Sequence, residues 1–492
     1  MKQVREHKLG WGSLCHVGKA LGLLTILLAS VVVAYAADPA LSDPRTMTFK
    51  PVEFSPPEPE RVVLDNGMVL YLLEDHELPL VSITVTMRTG SWLDPTDKIG
   101  LAAMTGAVMR TGGGGGLSAE QVDAELEQFA ADVSIGIGRQ SGSASLDVLS
   151  KDVHRGLEIF AGLIRTPAFD PARVELARLQ AVEGIRRRQD NPGSIVGREF
   201  AKMLYGADHP SARETSLDSV KRLTRDDLVT FHRHTIHPNG MILGVTGDFK
   251  REEMVASLRK VFGDWKKGMV PELRISDVPE AELSRPVVRF VGKETSQTHL
   301  RMGHLSIKED DPDYVALAIA NDILGGSSFR SRLFNDVRTK RGLAYSVGSR
   351  LNTGMHDQGV WLMRAETKLT STQEVIERFV ANIERIRTEP VTDVELAEAK
   401  EAYVNSFVFS FSSPSAIVSR LVELEYDGLP KDFLQQLRAK VVRLTKEEVL
   451  AAAKKHLRPD RLKIVAVGSG EALPKALATF GDVKEIKLSP EG

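Results

Sequence analysis

The chain has 492 residues, 42% of them hydrophobic and 26% charged, which excludes a fibre or a disordered tail and leaves room for two or more cores. Its formal charge of −2 offers no surplus of cations to neutralise phosphates, so nucleic acid is not an expected partner. Cys15 is the single cysteine and precedes an apolar run, whereas a lipid-attachment cysteine would follow one. The body of the protein therefore has no disulfide, cysteine nucleophile or thiolate metal site.

Lys2, Arg5, Lys8 and Lys19 lead into the apolar run Ala20 to Val33, and Ala34-Tyr35-Ala36 offers a small-x-small cleavage site. Residues 1–36 are read as a signal peptide cleaved before Ala37 or, given the length of the run, as an uncleaved membrane anchor. Either form places the body outside the cytoplasm, in the periplasm or extracellular space, touching a membrane only through this segment. A proline-rich leader (37–60) follows, then two apolar runs flanking Asp65-Asn66-Gly67, a hairpin signal. Val81, Ile83, Val85 and Met87 alternate as a half-buried strand. Ser118 with Gln121 makes a capping box that opens a helix to Ala130, and helical patterns fill Val153 to Tyr205. Thr224 starts another helix, and Met241 to Gly247 reads as a buried strand.

An internal repeat organises the rest. Arg222-Leu223-Thr224 recurs as Arg443-Leu444-Thr445, Pro238 as Pro459 and Gly247 as Gly468, all at an offset of 221 residues. Phe262-Gly263-Asp264 recurs as Phe480-Gly481-Asp482 at an offset of 218. Between the copies, residues 266–286 lose periodicity and collect Pro271, Pro279 and Pro286, as a linker does. The reading is a duplicated α+β protein with domains at 50–265 and 286–488, each a mostly antiparallel sheet with helices packed on one face, joined into a clamshell-like unit.

Gly100-Leu101-Ala102, followed by a helix, a glycine-rich loop and another helix, resembles the zinc-carrying segment of the pitrilysin, insulinase and mitochondrial-processing-peptidase family. The next residues in active members read His-x-x-Glu-His, where two histidines four apart share a helical face and ligate zinc while the glutamate activates the bound water. Here the segment is Ala103-Met104-Thr105-Gly106-Ala107, so Ala103, Gly106 and Ala107 stand where both ligands and the base belong. The family's third ligand falls near Glu183, within Arg178 to Pro192; one carboxylate cannot hold catalytic zinc, so a solvated helix residue is expected. His232, His234 and His237 cluster on a helix end without a carboxylate, and are read as structural. Gly112 to Gly116 lacks the Gly-Lys-Ser/Thr ending of a phosphate loop, and no Gly-x-Ser-x-Gly elbow occurs.

The second domain keeps the other hallmark of that family, in the stretch Ser331 to Val347. Leu333, Phe334 and Val337 form an apolar helix face, Gly342 suits the helix end, and a strand begins near Leu343. The resemblance implies that Arg338 and Tyr345 contact substrate carbonyl groups, a role that suits a fixed multi-donor cation and a neutral hydroxyl donor. It further implies a non-catalytic, substrate-binding subunit of an exported two-component zinc endopeptidase acting on unfolded peptides. This chain would bind no cofactor itself, and a zinc-motif-bearing homologue would be its partner. The alternatives are a structural or peptide-holding scaffold of the same fold and, further off, a peptidase with unconventional ligands.

Overall fold

The computed structural model describes residues 57–279, 285–327 and 329–489, so residues 1–36, expected to be a signal peptide or anchor, lie outside the described residues. Among the described residues no helix is long and apolar enough to cross a membrane. The hairpin signal is realised as β1 (Glu60–Val63) and β2 (Val69–Glu74), paired antiparallel. Gly67 sits at φ 82° and its N–H donates to the Leu64 carbonyl at 2.8 Å, a conformation that glycine adopts without steric cost. The buried side chain of Asn66 closes the turn onto the Phe262 carbonyl at 2.7 Å.

The alternating run becomes β3 (Leu80–Met87), whose Val81, Ile83, Val85 and Met87 are buried. With β4 (Asp132–Ile137), β5 (Gly142–Leu149) and β6 (Met241–Gly247) it builds a six-stranded sheet in the order β1-β2-β6-β3-β5-β4, antiparallel except for β2 with β6. The second sheet takes β7 (Val287–Gly292), β8 (Thr298–Leu305), β9 (Ala344–Asn352), β10 (Val360–Thr367), β11 (Lys463–Gly468) and β12 (Val483–Glu485), in the order β12-β7-β11-β8-β10-β9. Five of the six strands correspond one to one between the sheets, from β2 and β7 to the edge strands β4 and β9. The other edge differs: β1 precedes β2 and runs antiparallel to it, whereas β12 follows the second Phe-Gly-Asp and runs parallel to β7. The two threonines of the repeat, Thr224 and Thr445, each cap a helix with the same capping box, at Arg225–Thr235 and Lys446–His456.

One face of each sheet packs on helices of its own domain around a separate core. Helix α1 (Leu101–Thr111) belongs to the first of these. The opposite faces are covered in part by a reciprocal exchange. Helix α2 (Pro192–Tyr205), which follows the first domain's other helices, seats Ile195, Val196, Phe200 and Leu204 against Val291, Leu305, Leu362, Val465 and Val467 of the second sheet. Helix α3 (Pro414–Asp427) of the second half returns Val418 and Val422 to Tyr71 and Ile242 of the first sheet. Gly244 makes that approach feasible, since a Cβ there would lie 2.5 Å from Val418 Cγ1. Each fully buried aliphatic or aromatic side chain is worth about 1.5–3 kcal/mol, so the exchange ties the domains through hydrophobic burial. Polar contacts at its margin add direction: Arg61 forks onto Glu425 at 3.1 and 2.8 Å, and Tyr71 donates to the same carboxylate at 2.9 Å.

The segment joining the domains is irregular but docked. Gly268 and Asn239 exchange two hydrogen bonds, each of 3.0 Å, and the Val278 N–H donates to Gln358 Oε1 at 2.9 Å. Val278 itself is buried in the exchange core. The β4–β5 and β9–β10 hairpin ends meet nearby, where the buried Asp357 accepts from Ser211 Oγ (2.8 Å) and Gln140 Nε2 (3.1 Å).

Candidate functional site

Helix α1 starts from Gly100 at φ 105°, and the buried Asp94 carboxylate accepts from the N–H groups of Gly100 (2.8 Å) and Ala102 (2.9 Å). Burial pushes Asp94 up to about 6 in spite of these donors. Ala103 and Ala107 fall on the exposed face four residues apart, and neither offers a lone pair. Gly106 is buried against the edge strand: a Cβ would stand 2.6 Å from the Ile137 nitrogen and 3.0 Å from the Gly136 backbone. The helix therefore lies closer to β4 than any side chain at 106 allows. Glu183, on the helix Pro171–Arg187, is exposed and pairs with Arg187 one turn on at 2.5 Å.

The three clustered histidines do not converge. His232 is buried, donates to the Ile164 carbonyl at 2.7 Å and meets Phe169 edge-on, and burial holds its ring below the usual histidine range. His234 and His237 turn to the carbonyls of Thr230 (2.7 Å) and His234 (3.2 Å). Among the described residues one group of three could approach a metal, Asp311, Asp313 and His456. There Lys455 reaches Asp313 at 2.6 Å and His456 reaches it at 2.8 Å, so an ammonium already fills the cation's role. A cavity of about 360 Å³ brings together His76, Ser150, His154, Asp248 and Ser257. One serine and one histidine do meet here, Ser257 Oγ lying 3.2 Å from His154 Nδ1, but the Ser257 hydroxyl hydrogen goes to the Glu253 carbonyl at 2.8 Å. Ser150 (3.0 Å) and His76 (2.7 Å) both bond to Asp248 rather than to each other, so neither serine is wired to a histidine that a carboxylate orients.

Arg338 and Tyr345, by contrast, are brought together. Residues 334–340 wind as a wide π-helical turn, with Leu333, Phe334 and Val337 buried beneath it. The turn is anchored by the buried Arg332, forked onto Glu395 at 2.7 and 2.8 Å, and that guanidinium holds the Glu395 carboxyl down at about 2. Gly342 at φ 62° ends the turn, its N–H donating to the Arg338 carbonyl at 3.0 Å. In β9 the register slips between Ala344 and Ser346, which face Thr367 and Glu366, so Tyr345 is the extra residue of a bulge. It is 77% exposed. Arg338 lies between two rings, 4.7 Å from the centroid of Phe334 and 4.3 Å from that of Tyr345. Each such contact contributes about 0.5–1 kcal/mol at an exposed site and fixes the direction of the guanidinium. Among the described residues neither the Arg338 N–H groups nor the Tyr345 hydroxyl takes a protein hydrogen bond or ion pair.

Two features of this site are absent from the sequence reading: Phe334 as the ring beneath Arg338, signalled only by its place four residues earlier, and the bulge that turns Tyr345 outward. The exposed Phe329, stacked edge-on to Phe334 at 4.9 Å, extends the aromatic surface.

Comparison with known proteins places the fold in a family. The sequence model described as insulinase (peptidase family M16) matches residues 70–211, and that of the peptidase M16 inactive domain matches residues 222–403. The chain is 28% identical over 336 residues to an uncharacterized zinc protease of Mycobacterium tuberculosis, covering 67% of this chain and 76% of that protein. It is 24% identical over 363 residues to the uncharacterized zinc protease YmxG of Bacillus subtilis, covering 73% and 86%. A solved peptidase M16 inactive domain from Pseudomonas fluorescens superposes with a TM-score of 0.74 at 27% identity, covering 84% of this chain and 98% of that one. A protease from Helicobacter pylori shares the fold, with a TM-score of 0.72 at 19% identity over 84% of this chain and 99% of that one. With both halves matched by its domains and its two-sheet architecture shared, the chain belongs to peptidase family M16, the insulinase and pitrilysin group.

Proposed function

We propose that this chain is the non-catalytic, substrate-binding subunit of an exported two-component zinc endopeptidase that acts on unfolded peptides. The observation that carries the reading is a contrast within one molecule: the helix that would hold zinc has Ala103, Gly106 and Ala107 at the ligand and base positions, while Arg338 and Tyr345 stand side by side with donors that meet no protein acceptor among the described residues. The relatives named as zinc proteases suggest the chemistry of the partner. Its zinc would polarise the scissile carbonyl and activate the attacking water.

This chain's share is recognition. β9 is the last strand of its sheet, so an extended peptide can add to its edge through main-chain hydrogen bonds. Arg338, held between its two rings, and the Tyr345 hydroxyl then donate to a peptide carbonyl, and more strongly to the oxyanion that develops there. The edge strand of the other sheet, β4, is less open, because Arg110 reaches from α1 to the Val133 carbonyl at 2.7 Å. Affinity purification of the tagged chain from its native cell tests the reading. A zinc-motif homologue should come with it, and the mixture should cleave an unfolded peptide faster than either protein alone. Failure to pair with, or to accelerate, every zinc-bearing homologue of that cell would refute it.

A further inference from the structure

On the face of the second sheet that α2 covers only in part, three arginines sit on adjacent strands. Arg301 on β8 is the direct cross-strand partner of Arg364 on β10, and Arg350 on β9 faces Leu362, two residues before Arg364 on the same side. Directly opposed residues of an antiparallel pair bring their Cβ atoms to about 4.5–5.5 Å, and like charges placed so are destabilising. Nothing in the described protein offsets them: none of the three forms a hydrogen bond or ion pair with a protein group among the described residues. Glu366, on the same face, lies 3.7 Å from His299 instead.

Arg301 is also set in place. Its guanidinium lies flat against α2, where a Cβ on Gly197 would stand 3.0 Å from Cζ and from both terminal nitrogens, and it lines a cavity of about 260 Å³ between α2 and the sheet. Burial, with Arg364 and Arg350 beside it, draws Arg301 below the ordinary arginine value, so a nearby anion would relieve a cost that the fold carries.

We propose that Arg301, Arg350 and Arg364 form a recognition face for the carboxylates of an acidic peptide segment. This rests on the peptide-binding reading above and deepens it: Arg350 projects from β9 itself, so a strand added to that edge carries its alternate side chains over the same face. A guanidinium offers paired N–H donors that match a carboxylate, and a half-buried one loses less of the interaction to solvent. The chain alone would thus select acidic over neutral unfolded peptides, with Arg338 and Tyr345 holding the main chain of either.

Fluorescence anisotropy with labelled unstructured peptides of equal length tests this on the full chain. An acidic peptide with an amidated C-terminus should bind about tenfold more tightly than its neutral, amidated counterpart, and the advantage should shrink as salt rises from about 0.05 to about 0.3 M. The double variant Arg350→Gln/Arg364→Gln, at two exposed positions, should abolish most of that advantage while leaving the neutral peptide's affinity unchanged, and Arg301→Gln should act in the same direction. Charge reversal, Arg350→Glu/Arg364→Glu, should turn the preference towards a basic peptide. A neutral peptide with a free C-terminus is a separate arm: if it alone gains affinity, the terminal carboxylate rather than acidic side chains is the recognised group. Equal binding of acidic and neutral peptides, or an advantage that survives the double variant, overturns the subsite and leaves the peptide-binding reading standing. No binding of any peptide overturns that reading, and the subsite with it.

Discussion

Gly106 offers a test in which the sign of the effect decides. In an exposed helix interior, Gly→Ala gains about 0.5–1 kcal/mol because glycine pays extra backbone entropy on folding. Here the added methyl would stand 2.6 Å from the Ile137 nitrogen and 3.0 Å from Gly136 C and Cα. Those atoms belong to β4, held by its pairing of Gly136 with Ser143 and Ile137 with Gly142, so they cannot give way as a flexible side chain would. Overpacking of this kind costs about 1–3 kcal/mol, which outweighs the entropic gain. Gly106→Ala should therefore destabilise the chain by about 1–2 kcal/mol in urea unfolding, and Gly106→Glu by more, since it also buries a carboxylate. Ala103→His with Ala107→His, on the exposed face, should cost no more than about 1 kcal/mol together, the helix-propensity difference. Rebuilding the inverted zinc motif is thus limited by the base position and not by the histidines. A Gly106→Ala protein more stable than its parent would refute the packing argument.

Two further outcomes follow from the packing and from burial. Phe200→Ala, in the first half of the chain, should cost about 3–5 kcal/mol and raise amide exchange in β11 of the second half; exchange raised only in first-domain strands would count against the helix exchange. His304 is buried against Trp361, its Nε2 accepts the Arg458 N–H at 3.0 Å, and burial lowers it to about 4. The unfolded chain then binds the extra proton first, so stability should fall as pH drops from about 6.5 to about 4, by up to about 3 kcal/mol, and His304→Gln should flatten that slope; an unchanged slope would refute the assignment.

The fold was legible where the chain repeats itself. The offset that links Thr224 to Thr445 and Gly247 to Gly468 marks equivalent helix caps and equivalent central strands, because the same local chemistry was duplicated. The alternation in β3 and the buried run of β6 were equally plain, as periodicity reports burial directly. The exchange of α2 and α3 was not. An amphipathic helix shows which of its faces is apolar, and nothing in Ile195, Val196 and Phe200 says which sheet receives them. At the site, Arg338 and Tyr345 were singled out by resemblance, while the ring of Phe334 beneath the guanidinium depends on the wide winding of residues 334–340 and the bulge at Tyr345 on cross-strand register. The arginine face was invisible for the same reason: Arg301, Arg350 and Arg364 become neighbours only when β8, β9 and β10 are paired.

The most direct test of the account is turnover of an unfolded peptide by this chain reconstituted with its zinc-bearing homologue, comparing the parent with Tyr345→Phe and Arg338→Ala. Tyr345→Phe removes one hydroxyl from a 77% exposed ring and leaves the stack on Arg338 intact, so folding and subunit affinity should hold. Removing a donor to a developing oxyanion costs about 2.7–4 kcal/mol, so each variant should lower turnover by roughly 10²–10³-fold with an unchanged urea midpoint. Turnover near that of the parent in both variants would contradict the account and leave the pair with a structural role only.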